Sequence, residues 1–178
     1  MKNFVKKLQA FVLLVAVSMM GLVFAQNITG KSVKISVDGT SPMHNWTMTS
    51  NSGTFSAAVN GNVINSIKFS TESKNLKSTK GKIMDNKAYA ALKADKTPTI
   101  SFTATKMSIG KGIMNGKLTM AGVTKDIVVP VTVTKNGASY NISGSSNIKM
   151  SDFGMERPGF MGVRTGDAVT VIVNIVAN

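Results

Sequence analysis

The sequence predicts an all-β domain of antiparallel, up-and-down build, and three observations predict it. From Gln26 onward apolar residues recur mostly with a period of two, the spacing of strands with one buried face. Four Asp/Asn-Gly pairs stand at Asp38-Gly39, Asn60-Gly61, Asn115-Gly116 and Asn136-Gly137; such pairs tolerate positive φ and match the twist of a tight hairpin. One segment alone, Lys82 to Lys93, switches to helical spacing, so repeated βαβ units are not expected.

The elements follow in order. The chain opens with Lys2, Lys6 and Lys7, runs apolar from Leu8 to Phe24, and leaves through Val23-Phe24-Ala25 into polar sequence. A basic start, an apolar middle and a small-residue exit make a secretory signal peptide, with cleavage expected after Ala25. The alternative is a membrane anchor, since the run is nearly long enough to span a bilayer. Removal of Lys2, Lys6 and Lys7 with the leader lowers the formal charge from +13 to +10. Residues 26–178 then suit one domain with a full core, and no later segment is apolar enough to span a membrane. The chain has no Cys, which excludes a lipoprotein anchor, a disulfide framework and thiol chemistry.

Val33, Ile35 and Val37 share one face of the first strand; Phe55, Ala57 and Val59 share one face of a second. Lys82 to Lys93 carries Met84, Ala88, Ala91 and Leu92 at helical spacing, with Tyr89 between them, which predicts a short amphipathic helix. Asp95 to Pro98 ends it and leads to Ile100, Phe102 and Ala104 on a third strand. Gly116 to Met120 alternates into an Ala121-Gly122 turn and then a long strand with Ile127, Val129, Val131 and Val133 on one face. Pro130 within that strand marks an edge, a bulge or a strand end. Residues 151–166 lack periodicity and read as a long loop before the last strand, with Val169, Val171, Val173 and Ile175 on one face. Closure into a barrel would abolish the sheet edges, and about eight strands leave room for one small ligand. A β-sandwich gives similar alternation, so the period leaves both open.

Several stretches, in order, carry a resemblance. They are Thr40-Ser41-Pro42-Met43-His44-Asn45-Trp46; Met84 to Leu92 leading to Pro98-Thr99-Ile100-Ser101-Phe102; Gly116 to Lys125; Ser151-Asp152-Phe153-Gly154-Met155; and Gly166-Asp167-Ala168-Val169. Together the chain resembles the YceI-like family of secreted lipid-binding barrels over essentially all of residues 27–177. The resemblance implies an eight-stranded, lipocalin-like antiparallel barrel with one short helix, following a signal peptide. It also implies an elongated apolar channel for a long-chain amphiphile, often a polyisoprenoid, carried in the periplasm. The family often has an Arg-Asp pair where Met84-Asp85 stands here.

On such a barrel the side chains expected on the channel wall are Trp46, Phe55, Phe69, Phe102, Leu118, Met120, Val131, Tyr140 and Phe153. His44, two residues before Trp46, would share its face on a strand and add a polar point for orienting a ligand. Ordinary core packing of Trp46 is the plainer reading. Nine Met lie in residues 26–178; they would adapt to a tail without fixed shape, though core filling explains them equally well. Modest residues at Ala57, Ala104, Gly144 and Ser146 hint at space left unfilled. Burying hydrocarbon is worth about 0.8 kcal/mol per CH₂, to be set against association costs of roughly 4–15 kcal/mol. A long enough tail therefore binds without a sharp polar motif.

His44 is the only histidine, so a histidine metal cluster is excluded, and no metal or cofactor is expected. A hydrolase would need Ser41, His44 and a carboxylate such as Asp38, yet no nucleophile elbow surrounds any Ser; an enzyme is not expected. The lysines are spread along strands and turns without a nucleic-acid-type block. Solvated outward faces explain them plainly; transient contact with anionic lipid head groups is the functional reading. The runner-up to a lipid carrier is a structural or adhesive β-sandwich module with a packed core and no ligand.

Overall fold

The computed structural model describes residues 25–160 and 162–178. Of the expected leader only Ala25 is among them; residues 1–24 lie outside the described residues. In chain order the strands are β1 (Gln26–Gly39), β2 (Trp46–Ser50), β3 (Thr54–Asn60), β4 (Val63–Glu72), β5 (Lys77–Ser78), β6 (Thr99–Ser108), β7 (Gly110–Met120), β8 (Val123–Asn136), β9 (Ser139–Lys149), β10 (Gly159–Phe160), β11 (Val163–Arg164) and β12 (Ala168–Ala177). One α-helix, α1 (Lys82–Ala91), falls where the helical spacing placed it. Two 3₁₀ turns cover Ser73–Asn75 and Met150–Phe153.

Eight strands close a ring in the order β1-β3-β4-β6-β7-β8-β9-β12, every neighbour antiparallel, and β12 returns to β1. Val37 stands opposite Val171 at the closing seam, and Ile35 opposite Val173. A closed ring excludes the two-layer sandwich. Closure satisfies the backbone groups that an open edge would expose.

The hairpins show two different uses of glycine. Ala121 and Gly122 both have positive φ, at 52° and 81°, as a two-residue primed turn requires. Gly61 and Gly137 turn the β3–β4 and β8–β9 hairpins at φ 58° and 61°, as their Asn-Gly pairs foretold. The other two pairs are corrected. Asn115-Gly116 lies inside β7, where a Cβ on Gly116 would collide with the Phe102 ring. Asp38-Gly39 ends β1 before the longer loop 40–45 of the β1–β2 hairpin, so it forms no tight turn, and Gly39, opposite Trp46, makes room for its ring. At both places the missing side chain serves clearance rather than a turn.

Two irregularities shape the wall. Ser66 has φ 54°, and the β3–β4 register shifts there, leaving Ser66 and Ile67 opposite Ala57 alone. This bulge resets the alternation, so Ile64 and Ile67 are both buried. At Pro130 the β8–β9 ladder stops: Val131 opposite Gly144 is its last pair, as a residue without an N–H dictates. Beyond it the Ser146 hydroxyl reaches across to the Val128 carbonyl at 3.2 Å. The segment read as a long loop contains the 3₁₀ turn Met150–Phe153 and the short β10–β11 hairpin.

The two ends of the ring differ. Ile28, Ile64, Val133, Tyr140 and Ala177, from β1, β4, β8, β9 and β12, are fully buried or nearly so; they plug one end. At the other end β2 continues along β1 but pairs outward with β5 instead of β4. The ring opens there, and α1 packs beside β5 and the Ser73–Asn75 turn at the opening.

Candidate functional site

The open end leads into a lumen of about 610 Å³, within the usual range of small-molecule cavities of roughly 300–1,000 Å³. Its wall comes from the inward positions that period-two alternation selects. Phe55 stands opposite Phe69, Phe69 opposite Phe102, and Phe102 opposite Leu118. These four residues make one row across β3, β4, β6 and β7. The opposite wall is slimmer, with Val131 facing Gly144 and Gly144 facing Val173. Large side chains on one wall and small ones on the other leave the middle of the tube empty.

Helix α1 supplies the remaining cover. Met84, Ala88, Ala91 and Leu92 face the lumen, the residues whose spacing predicted the helix. Its outer side is held by Tyr89, whose hydroxyl accepts from the Lys77 ammonium at 2.8 Å and lies 3.0 Å and 2.9 Å from the Lys74 and Leu76 carbonyls. That hydrogen bond is the main reason the Lys77 pKa is raised. The Asp85 carboxylate is buried and accepts from the Ser78 N–H at 2.6 Å, fixing β5 to the helix. From the far side of the opening, the Gly159 carbonyl accepts from the Lys87 ammonium at 2.6 Å. Gly166 N–H donates to the Thr40 carbonyl at 2.7 Å. Three segments thus ring the mouth: residues 40–45, α1, and residues 155–160 with 162–166.

The lumen is apolar nearly throughout. Among the described residues on its wall, Lys80 and Lys87 are charged, and no carboxylate faces it. Ser146 and Thr71 contribute hydroxyls, both already bonded to backbone carbonyls at Val128 and Ser52. Trp46 lines the wall with its indole N–H donating to the Thr40 carbonyl at 3.2 Å.

Eight of the ten residues expected at the site border this lumen: His44, Trp46, Phe55, Phe69, Phe102, Leu118, Met120 and Val131. His44 does so from the loop before β2, exposed at the mouth, rather than from a strand shared with Trp46. Tyr140 and Phe153 do not border it. Tyr140 is the second residue of β9, at the plugged end opposite Ala177, where the side chains meet and leave no space. Phe153 is buried under the 3₁₀ turn that packs on β8 and β9, while Met150 and Met155 on either side face inward. Of the modest residues, Gly144 and Ser146 border the lumen; Ala57 and Ala104 are buried away from it. Sequence reading missed Ile142 and Ile148 of β9, which alternate at period two with the small Gly144 and Ser146 between them.

Ser41, His44 and Asp38 do not assemble a catalytic relay. The Ser41 hydroxyl donates to the backbone carbonyl of His44 at 2.7 Å. Asp38 accepts from Thr47 at 2.6 Å and Ser36 at 3.2 Å. No group of three or more metal-binding side chains stands among the described residues.

The family model described as the YceI-like domain matches residues 19–177. No curated protein matches the chain. Among solved structures, Burkholderia cenocepacia BcnA is similar with TM-score 0.66 and 22% identity, over 82% of this chain and 96% of that one. A polyisoprenoid binding domain from Saccharophagus degradans, implicated in plant cell wall breakdown, gives TM-score 0.67 and 11% identity, over 85% and 97%. At those identities the likeness is one of fold. A Campylobacter jejuni YCEI protein gives TM-score 0.52 and 25% identity, over 64% and 71%.

Proposed function

This chain belongs to the YceI-like family, and from that premise we propose that it is a binding and carrier protein for a long-chain isoprenoid or related amphiphilic lipid in the periplasm. The observation that carries the proposal is the lumen: about 610 Å³, plugged at one end, open at the other and walled by apolar side chains. Such a space has no use for a water-soluble guest, because water already solvates that guest better. A hydrocarbon chain gains about 0.8 kcal/mol for each CH₂ it buries. The long aromatic row holds the tail by shape and dispersion, while the flexible Met48, Met114 and Met120 on the wall adapt to its branches. The domain from Saccharophagus degradans, alike in fold, is by description a polyisoprenoid binding domain, which supports the same class of guest here.

In this reading residues 1–25 are the leader, cut after Ala25, and residues 26–178 are the carrier. Binding is passive, with no bond made or broken; the separate hydrogen-bonding of Ser41 and Asp38 supports this. His44, Trp46, Phe55, Phe69, Phe102, Leu118, Met120 and Val131 form the binding wall. Tyr140 and Phe153 are left out of it.

The test uses protein from its own host. Native mass spectrometry and organic extraction are expected to show a co-purifying lipid. Stripped protein should take up an added polyprenol with a shift in the emission of Trp46, the only tryptophan. A clean apo mass with no uptake and no emission change would overturn the proposal and favour a ligand-free structural module.

A further inference from the structure

We propose that the mouth is a docking face for an anionic lipid bilayer, so that the lumen opens directly onto the membrane. This goes beyond the carrier reading, since it concerns the outer rim and not the occupant of the lumen.

Two of the large exposed apolar side chains mark the place. Ile83 is 72% exposed and Met43 is 68% exposed. They come from separate segments, the first turn of α1 and the loop before β2, and both border the mouth. Neither is needed to close the core, and exposed apolar tips of this kind mark interaction surfaces when they cluster.

The surrounding charge selects the partner. Ile83 follows Lys80-Gly81-Lys82, and both lysines are exposed. The helix begins there without a side-chain cap, at Gly81. Positive charge at a helix N-terminus opposes the macrodipole, so Lys80 and Lys82 stand where local helix stability would not place them. The same N-terminus and lysines together favour anions such as lipid phosphates. Across the mouth, residues 155–160 and 162–166 add Arg157 and Arg164 against Glu156, with Asp167 next in the chain and held by Ser151. The acid of the first helical turn, Asp85, is buried and bonded to Ser78, so it does not offset the lysines at the surface. Apolar tips ringed by cations are the combination that binds an anionic bilayer surface: tips enter the acyl boundary, and lysines meet the head groups.

The outer wall provides an internal control. Ile113 is 67% exposed, nearly as much as Met43, but it lies in mid-β7 opposite Pro130. The Lys117–Asp126 ion pair, 2.8 Å apart, joins the same two strands, and the exposed Lys111 stands nearer to Ile113.

The experiment is sedimentation of the purified protein with vesicles of phosphatidylcholine alone or mixed with phosphatidylglycerol. The protein is expected to sediment with the mixed vesicles and to stay in solution with the neutral ones. Met43→Asp with Ile83→Asp should weaken sedimentation roughly tenfold or more, and Lys80→Glu with Lys82→Glu should do the same. Ile113→Asp should leave it unchanged, and circular dichroism should show all variants folded. Trp46 emission with an added polyprenol reads lumen binding separately, so failure of docking and failure of the carrier reading give different results. Equal sedimentation with neutral vesicles, none with either, or loss through Ile113→Asp but not through Ile83→Asp overturns the inference. Salt-releasable retention indifferent to Met43 and Ile83 also overturns it.

Discussion

The plugged end and the open end of this barrel are built from the same strands with the same alternation, yet one is solid and the other hollow. At the plugged end, Ile28, Ile64, Val133, Tyr140 and Ala177 meet with essentially no exposure. At the open end, Phe55, Phe69, Phe102 and Leu118 cover one wall and Gly144 and Ser146 thin the other. Two backbone events widen the second region: β2 turns away to pair with β5, and β8 parts from β9 at Pro130. The lesson is a division of labour along the barrel axis. Close packing at one end supplies stability, because dense interiors resist rearrangement; the other end can then stay unfilled.

The sharpest way to break this comparison is Phe102→Asp. Phe102 is buried against Gly116 and also faces the lumen, so it belongs to both roles. Losing the ring and burying a carboxylate should cost about 4 kcal/mol or more and abolish lipid uptake. Urea unfolding and Trp46 emission check the two halves. A fall in binding alone would show that the side chain meets water.

Tyr140→Ala comes next and should separate the ends. A loss of about 3–5 kcal/mol is expected from the cavity left at the plug, with uptake per folded molecule unchanged. Its hydroxyl is buried with no hydrogen-bond partner among the described residues, so Tyr140→Phe should be neutral or stabilising. A drop in lipid affinity for Tyr140→Ala would merge the two ends into one cooperative unit.

Val173→Phe should do the reverse. Val173 borders the lumen and is only partly buried, so a ring there fills empty space. Uptake should fall roughly tenfold, while stability moves by less than about 1 kcal/mol. A large destabilisation would mean the lumen is less free than its volume implies.

The smallest effect concerns acid. Asp167 accepts from the Ser151 hydroxyl and from the Ser151 N–H at 2.9 Å, holding the 3₁₀ turn to the start of β12. Those bonds lower its pKa below the ordinary 3.8. A carboxylate depressed in the folded state stabilises fully above its unfolded pKa, and that contribution is lost as pH falls through the lower folded value. The protein should therefore lose a little stability below about pH 4, and Asp167→Asn should flatten that slope in urea midpoints measured across the range.

The fold was legible because period-two alternation reports which face a residue takes. Val169 to Ile175 and Ile127 to Val133 could be placed inward from the sequence alone, and α1 stood out by its change of period. Depth along the axis was not legible. Tyr140 takes the inward face as expected, but nothing in its neighbours says that it lies at the plug; strand order decides that. His44 borders the lumen as expected but does not share a strand with Trp46: Pro42 and the residues around it keep the segment out of the sheet until Trp46. Glycine carried an ambiguity of its own. Asn136-Gly137 and Asn115-Gly116 read alike, yet the first bends the chain and the second accommodates the ring of Phe102. The bulge at Ser66 left no sequence signal, since serine is not a usual choice for positive φ.

The strand that begins the barrel and the strand that ends it are paired, and Thr29 and Asn178 exchange both backbone hydrogen bonds at 2.9 and 3.1 Å. Asn178 consequently sits at the solid base. Along the ten residues of β12 it is separated from the opening by roughly 30 Å. A biotin handle or affinity tag joined after Asn178 would hang beneath the molecule, and protein immobilised by it on a sensor chip would stand upright, facing solution with its entrance unobstructed.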